Sequence, residues 1–499
     1  MTDKKDIPTT YFENIANEVL RAAIMTSIAS DNLLGALVAA GINQIALETE
    51  RLNQKDIETR LSQGVFYASP SEQEIADRYG DSAKYHLSNV IEALKIELEH
   101  RQFGPAYTLR PNGSCFKYQR RREFPLSKLS GLILDATGDP TILKACIPTM
   151  EMAGEIQIDR YAHVTQISDK TFSRFSLFQD QGSQSFRNEI SAFLGGLNAK
   201  LTETEERALI VTYKQFRLEL TGEEDVIGSS ATASEFPQID IAHFGNIRGI
   251  DQFKDHAAIV VIGRQEPNPK SMEDQARAIW FDSDNPIQTV PTGERYPTRQ
   301  QNYNVRELNP QPHNGRDVAY HPDPRANALL YQAREAETLQ AIDRLRLIHN
   351  EERKTVFLLS NIPIDELTVD RLITWKEFME GGTKLEKALA QQTQRELYAL
   401  PLTPAYLSEH FPDMWSSPDS ARGWLDPDQT GARPYEANKN YMETVVFLRY
   451  RLSGRGGHPQ IALVSREIDE AERQGELERV LGCILSLCEE FIPDGYAIA

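Results

Sequence analysis

Apolar residues recur at helical spacing from the start of the chain to about residue 103. Phe12, Ile15, Val19, Leu20, Ala23 and Ile24 share one stripe of TYFENIANEVLRAAIMTSIA. Tyr85, Leu87, Val90, Ile91, Leu94 and Leu98 repeat the pattern in SAKYHLSNVIEALKIELEH. Between them Ser69-Pro70-Ser71-Glu72 reads as a helix start, with Ser69 or Ser71 as cap. The period then changes. AYTLR, PNGS and CFKYQRRR read as strand, turn and strand, with Asn112-Gly113 suited to a hairpin turn.

From 129 to 362 the pattern is α/β. Apolar runs recur at SGLILDAT (130–137), EIQI (155–158), ALIVTYK (208–214), IDIAHFG (239–245), AAIVVIG (257–263) and TVFLLS (355–360). Continuous rather than alternating runs predict strands buried on both faces of a mostly parallel sheet. Helical stretches such as QSFRNEISAFLGGLNAK lie between them, which is the βαβ rhythm of an open sheet. Residues 282–327, rich in Pro, Asn and Gln, read as a long irregular insertion. The predicted organisation is a helical region 1–128 ending in a hairpin, an α/β domain 129–362, and a mostly helical accessory domain 363–499. TPAYLSEHF, NKNYMETVVFLRYRL and REIDEAERQGELERVLGCILSLCEEF are the helices expected in the last part.

Bulk numbers alter this picture little. The 499 residues allow two to four domains. No apolar run approaches the length that spans a bilayer, and MTDKKDIPTTYFENI has no secretory apolar segment, so a cytoplasmic address with no membrane partner is expected. Cys115, Cys146, Cys483 and Cys488 are too few and scattered for a disulfide framework. Cys483 and Cys488, five apart in an expected helix, point in different directions, which speaks against a joint metal site. A net charge of −19 argues against a chain coated by DNA phosphate, although a local basic track remains compatible with it. Lys117, Arg120, Arg121 and Arg122 on the second hairpin strand fit either a charged edge or a phosphate contact.

Polar residues cluster at the ends of the apolar runs, where ligands of open α/β sheets bind outside the carboxyl ends of strands. They are Asp135-Ala136-Thr137, Thr212-Tyr213-Lys214, the stretch HFGNIRGIDQFKD (243–255) before AAIVVIGR and QEPNP, and the helix carrying Gln340, Arg344 and Arg346. Each has a structural account. Asp135 or Asp139 can cap a helix beginning Pro140-Thr141-Ile142. Gly245 and Gly249 can be turn glycines. Arg344 and Arg346 can pair with Glu335, Glu337 or Asp343 on a solvated face.

In order along the chain, these stretches resemble the second motor domain of a superfamily 2 helicase. LILDAT resembles the Ser/Asp-Ala-Thr motif that couples the two halves, and IVTYK the strand of the next motif. GNIRGIDQFKDHAAIVVIGRQEPNP is similar to the Gly-Ile-Asp motif, strand and proline-rich turn of the branch that includes DNA-repair helicases. QAIDRLR resembles Gln-Ala-x-Gly-Arg, whose arginine reaches the γ-phosphate. The likeness covers about residues 129–362, and the flanks resemble those of large helicase-like proteins of phages and plasmids. It implies a RecA-like domain flanked by helical regions. It also implies a nucleotide role for Gly249 and Asp251, and a single-stranded DNA track of Thr137, Thr212, Lys214, Asn246 and Arg248. Arg344 and Arg346 would act on the γ-phosphate with Gln340 beside them, arginine being suited to phosphate by its planar fork.

The pattern is incomplete. Asp343 stands where the family has glycine before the arginine, and Arg346 follows Arg344 by two residues where the family more often has three. The spacing from Gln340 favours Arg344 as the finger. No glycine-rich phosphate loop ending in Gly-Lys-Ser/Thr occurs; Gly381-Gly382-Thr383-Lys384 lacks the spacing and context. No strand ends in a Mg-binding acidic motif, and the four-cysteine pattern of an iron–sulfur cluster is missing. ATP and Mg are therefore expected only in a two-part assembly, with the ATPase half on a separate chain or lost. A rival expectation is a non-catalytic scaffold with a degenerate helicase fold. A third, an α/β enzyme lidded by 282–327, lacks a nucleophile.

Overall fold

The computed structural model describes residues 2–30, 32–62, 86–121, 131–135, 137–154, 159–223, 230–247, 251–305, 315–348, 350–426, 445–454 and 458–491. Two compact units emerge, each built from separated stretches: Met1–Ile156 with Glu266–Pro297 and Ala319–Ala333, and Gln157–Gln265 with Thr298–Val318 and Arg334–Ala499. Residues 282–327 are thus no single insertion, because the two units divide them.

In the first unit, helices Glu18–Thr26, Leu33–Ala39, Gln44–Ser62 and Leu87–His100 accompany a small antiparallel sheet of β1 (Thr2–Pro8), β2 (Leu109–Asn112) and β3 (Cys115–Arg121). Phe12, Ile15, Leu20, Ile24, Leu94 and Phe116 share its core; of the first predicted stripe only Val19 faces solvent. The hairpin forms where expected, closing through Gly113-Ser114 with Gly113 at φ +63°. β1 has no apolar signal in TDKKDIP, yet it pairs along the whole of β3. β3 is therefore a central strand, not a charged edge. Its described cations have partners within the unit: Lys117 shares Asp274 with Arg110 of β2 (3.1 and 2.7 Å), Arg121 reaches Asp282 at 2.7 Å, and Arg120 lies over the Phe281 ring at 5.3 Å. Arg122 lies outside the described residues. Asp139 caps Pro140–Cys146, with proline at the first position. The strand expected at SGLILDAT is absent: residues 131–135 are irregular, with Leu132 and Leu134 73% and 84% exposed.

The second unit is mixed α/β. Its seven-strand sheet comprises β4 (Ala162–Ile167), β5 (Ala208–Thr212), β6 (Ala231–Thr232), β7 (Ile239–His243), β8 (Ala258–Ile262), β11 (Lys354–Leu359) and β12 (Arg371–Ile373). The order is β12-β4-β11-β8-β5-β7-β6; only β6 runs antiparallel. Val356 sits beside Val164 on one side and Ile259 on the other, and Ile210 lies between Val260 and Ile241. These side chains are buried on both faces, which is why the runs read as unbroken apolar sequence. Helix Ser183–Thr204 lays Phe186, Ile190, Leu194 and Leu201 into the same core. The run at 155–158 lies outside the described residues; β4 begins after it. β9 (Thr298–Asn302) and β10 (Gly315–Ala319) form a separate two-strand sheet.

The expected helical region 363–499 carries a four-strand antiparallel sheet, β13 (Ala399–Pro401), β14 (Val445–Leu452), β15 (Gln460–Ser465) and β16 (Leu485–Phe491). VVFLRYRL, expected as helix, is β14; its β-branched and aromatic residues pack between two partners. The last expected helix stops at Leu481, because Gly482 takes a left-handed conformation (φ +67°) that closes it. Cys483 and Cys488 therefore lie after that helix, Cys488 in β16.

After β5 the chain steps to β7, whereas after β8 it returns to β11, so the crevice typical of open α/β sheets falls between the carboxyl ends of β5 and β8. Tyr213 occupies it. Its hydroxyl donates to the Arg264 carbonyl (2.8 Å) and accepts from the Arg264 amide (3.1 Å), and its ring meets Phe244 edge-on. Gly263 permits this approach: at φ +77°, an added Cβ would lie 2.5 Å from the Phe172 carbonyl oxygen and 2.6 Å from the Tyr213 ring. Gly263→Ala should lower stability by about 2–4 kcal/mol in urea unfolding. A Tyr213→Ala background should not restore it, since the Phe172 carbonyl remains in the way.

Candidate functional site at the amino-terminal edge of the parallel sheet

Helix Pro324–Ile342 ends in a 3-10 turn, Asp343–Leu345, followed by Arg346 in the left-handed region at φ +56°. Three contacts fix this turn. Arg160 grips Asp343 with a fork (Nε–Oδ1 2.8 Å, Nη2–Oδ2 2.9 Å) and donates to the Glu366 carbonyl at 2.8 Å. The Asn350 amide donates to the carbonyls of Leu345 (3.0 Å) and Arg346 (2.8 Å), satisfying acceptors that the helix end leaves open. Lys354 Nζ donates to the carbonyls of Leu345 (3.2 Å) and Lys254. Leu345 and Leu347 are buried beneath. Arg344 and Arg346 thus stand on a braced turn. Gln340 lies in the last turn of the α-helix and Arg344 in the 3-10 turn that follows it.

Asp251, 95 residues earlier, meets Arg346: Oδ1 accepts from Nε at 2.8 Å and lies 2.6 Å from Nη2. Asp251 is on the loop entering β8 and Arg346 on the segment entering β11, and these strands are neighbours in register, Thr355 beside Ala258. Two of the candidate residues therefore come together at the amino-terminal edge of the sheet. The pair is open to solvent, with side chains 55% and 63% exposed. Screening leaves such a pair about 0–1 kcal/mol. Arg344 beside it is half-buried. Burial, then the Arg346 charge, pulls its guanidinium below the ordinary value, while Asp251, Asp343 and Glu337 oppose this. Glu337 is buried and accepts from the Gly245 amide at 2.7 Å. The pairings expected on a solvated face are thus replaced: Glu335 and Glu337 point inward, and Asp343 belongs to Arg160. Gly249 and Arg248 lie outside the described residues.

The remaining candidates lie elsewhere. Thr212 is fully buried at the end of β5, its hydroxyl directed to the Ile262 carbonyl at 3.3 Å, so it presents nothing to a ligand. Asn246 is buried after β7. Lys214 is exposed at the start of helix Lys214–Thr221. Thr137 belongs to the first unit, where its amide donates to Asp135 Oδ1 at 3.0 Å. The expected gathering at carboxyl ends is corrected on this point: Asp251, Arg344 and Arg346 occupy the opposite, amino-terminal edge. Arg160, which braces that edge, has no signal as a site residue in the sequence. Arg160 carries no local motif, and its partner lies 183 positions away.

Among the described residues, no His, Cys, Asp and Glu cluster is placed to hold a metal, and no helix is long and apolar enough to cross a membrane. No family model, curated protein or solved structure matches the chain.

The two ion pairs should respond differently to substitution. Asp251→Ala should change stability by less than about 1 kcal/mol. Arg160→Ala, which leaves Asp343 without its fork, should lose about 1–3 kcal/mol by the same urea titration.

Proposed function

We propose that this chain is the C-terminal motor half of a helicase-like ATPase, with its parallel-sheet unit acting as a RecA-like domain. The observation that carries the reading is the Asp251–Arg346 pair beside Arg344, braced and solvent-open at one sheet edge. Phosphoryl transfer needs cationic charge on the transferring group, and a neighbouring domain can supply it as an arginine. Arg344 takes the γ-phosphate, Arg346 exchanges Asp251 for phosphate oxygens, and Gln340 orients the interdomain contact. The phosphate loop, the Mg ligands and thus ATP itself belong to a second polypeptide. Strand contact by the described residues of the parallel-sheet unit falls to Lys214, since Thr212 and Asn246 are buried and Thr137 belongs to the first unit.

A second reading, a non-catalytic scaffold, is favoured by one observation: Arg110, Lys117, Arg121 and Arg346 all have carboxylate partners within the chain. One experiment decides between them. The chain is mixed with the product of a neighbouring reading frame that carries a phosphate loop, with and without single-stranded DNA. Under the motor reading, DNA-stimulated ATP hydrolysis occurs only in the mixture, and Arg344→Ala lowers kcat by about 10³-fold or more. Hydrolysis indifferent to this chain, or to Arg344→Ala, would leave the scaffold reading.

A further inference from the structure

Where SGLILDAT predicts a strand and none forms, the chain presents three consecutive aliphatic side chains to solvent. Leu132, Ile133 and Leu134 are 73%, 44% and 84% exposed, and the motor reading does not use them. Residues 131–135 belong to no helix or strand and run without a turn or bend. Among the described residues, no backbone amide or carbonyl of Gly131–Leu134 is hydrogen-bonded. The exposure alternates, as it does along a strand whose successive side chains face opposite ways. The far end of the segment is fixed. Asp135 accepts from the Thr137 amide at 3.0 Å, Asp139 caps helix Pro140–Cys146, and that helix seats Ile142 in the core of the first unit.

Such a segment leaves two needs unmet at once: its aliphatic side chains stand in water, and its peptide groups have no partner in the chain. A lipid surface or a helical groove covers side chains and leaves peptide groups unpaired. A second β-strand meets both needs, through a ladder and through cross-strand side-chain pairs. SGLILDAT carries no lysine or proline, the residues that blunt an open strand against such pairing. It also matches its own copy. In an antiparallel ladder opposed residues point to the same face, so a two-fold axis sets one residue opposite itself. With Ile133 on the axis, Ile133 meets Ile133, Leu132 meets Leu134, and Gly131 meets Asp135 of the second copy. All five described residues are then paired, and no carboxylate opposes another. An axis at Leu134 would set Ile133 against Asp135, and one at Leu132 would set it against Gly131.

We propose that Gly131–Asp135 is a self-association strand, through which two copies of this chain pair antiparallel about Ile133 to form a homodimer. The ladder is short, so the dimer is weak, and the charge of −19 on each copy opposes it. Added salt screens that repulsion and tightens the dimer, the reverse of an interface held by ion pairs. The proposal stands independently of the motor reading, because it involves neither Arg344 nor a nucleotide.

The test is sedimentation equilibrium of the full chain over about a hundredfold range of concentration, at low and at high salt. A monomer–dimer equilibrium that tightens with salt is expected. Ile133→Asp, which sets two carboxylates face to face on the axis, should weaken it about tenfold or more, with the circular dichroism of the native chain retained. Gly131→Lys has room, since nothing lies within 4 Å of an added Cβ, and it sets lysine opposite Asp135. It should tighten the dimer severalfold at low salt and lose that gain at high salt. Ile484→Ser, which removes an exposed aliphatic side chain of the second unit, should leave the equilibrium unchanged. The proposal is overturned if the chain stays monomeric at every concentration and salt, if a folded Ile133→Asp chain dimerises as the native one does, or if Gly131→Lys gains nothing. Flotation of a monomeric chain with phosphatidylcholine vesicles would also overturn it, in favour of a lipid surface.

Discussion

A parallel sheet buried on both faces leaves polar chemistry only two places to go: the two rows of strand ends. Here β8 and β5 are almost wholly apolar, and β4, β11 and β7 supply Val164, Ile167, Val356, Leu358, Ile239 and Ile241 to the same core. Two groups of charged side chains are sorted to the two edges. At the amino-terminal edge a 3-10 turn, braced by Arg160, holds Arg344 and Arg346 beside Asp251. At the carboxyl-terminal edge Tyr213 closes the ordinary crevice, and Arg264, Asn361 and Asp169 follow β8, β11 and β4, one step along.

How much of this the sequence disclosed follows from what periodicity encodes. The runs at 208–214, 239–245, 257–263 and 355–360 became strands because an unbroken apolar segment must be covered on two sides. The same argument failed at SGLILDAT, whose residues 131–135 are irregular and exposed. β1 leaves no pattern in the sequence because TDKKDIP carries a single core aliphatic, Ile7, and pairs otherwise through its backbone. β14 and β16 were mistaken for helix because short apolar runs satisfy both periods until a left-handed glycine such as Gly482 breaks one of them.

The candidate site was legible in residue type but not in place. Gln340, Arg344, Arg346 and Asp251 were singled out, and the pairing of Asp251 with Arg346 links two stretches far apart in sequence. Which edge they occupy depends on whether a residue precedes or follows its strand, and proximity to an apolar run does not reveal that. Arg160 was beyond reach, since a fork on Asp343 leaves no local trace. Net charge was an equally poor guide. The surplus of carboxylates is partly engaged in holding arginines and lysines, as Asp274 does for Arg110 and Lys117.

The position of β11 has a consequence for how the chain is made. Although it is the second-last strand of the seven to leave the ribosome, it sits between β4 and β8, roughly 190 and 95 residues its seniors. Until Lys354–Leu359 emerges, no ladder joins those two strands, and β4 and one edge of β8 wait with their hydrogen-bonding groups unmet. Closure is thus a late, long-range event, in the class of topologies whose non-local pairing makes folding slow.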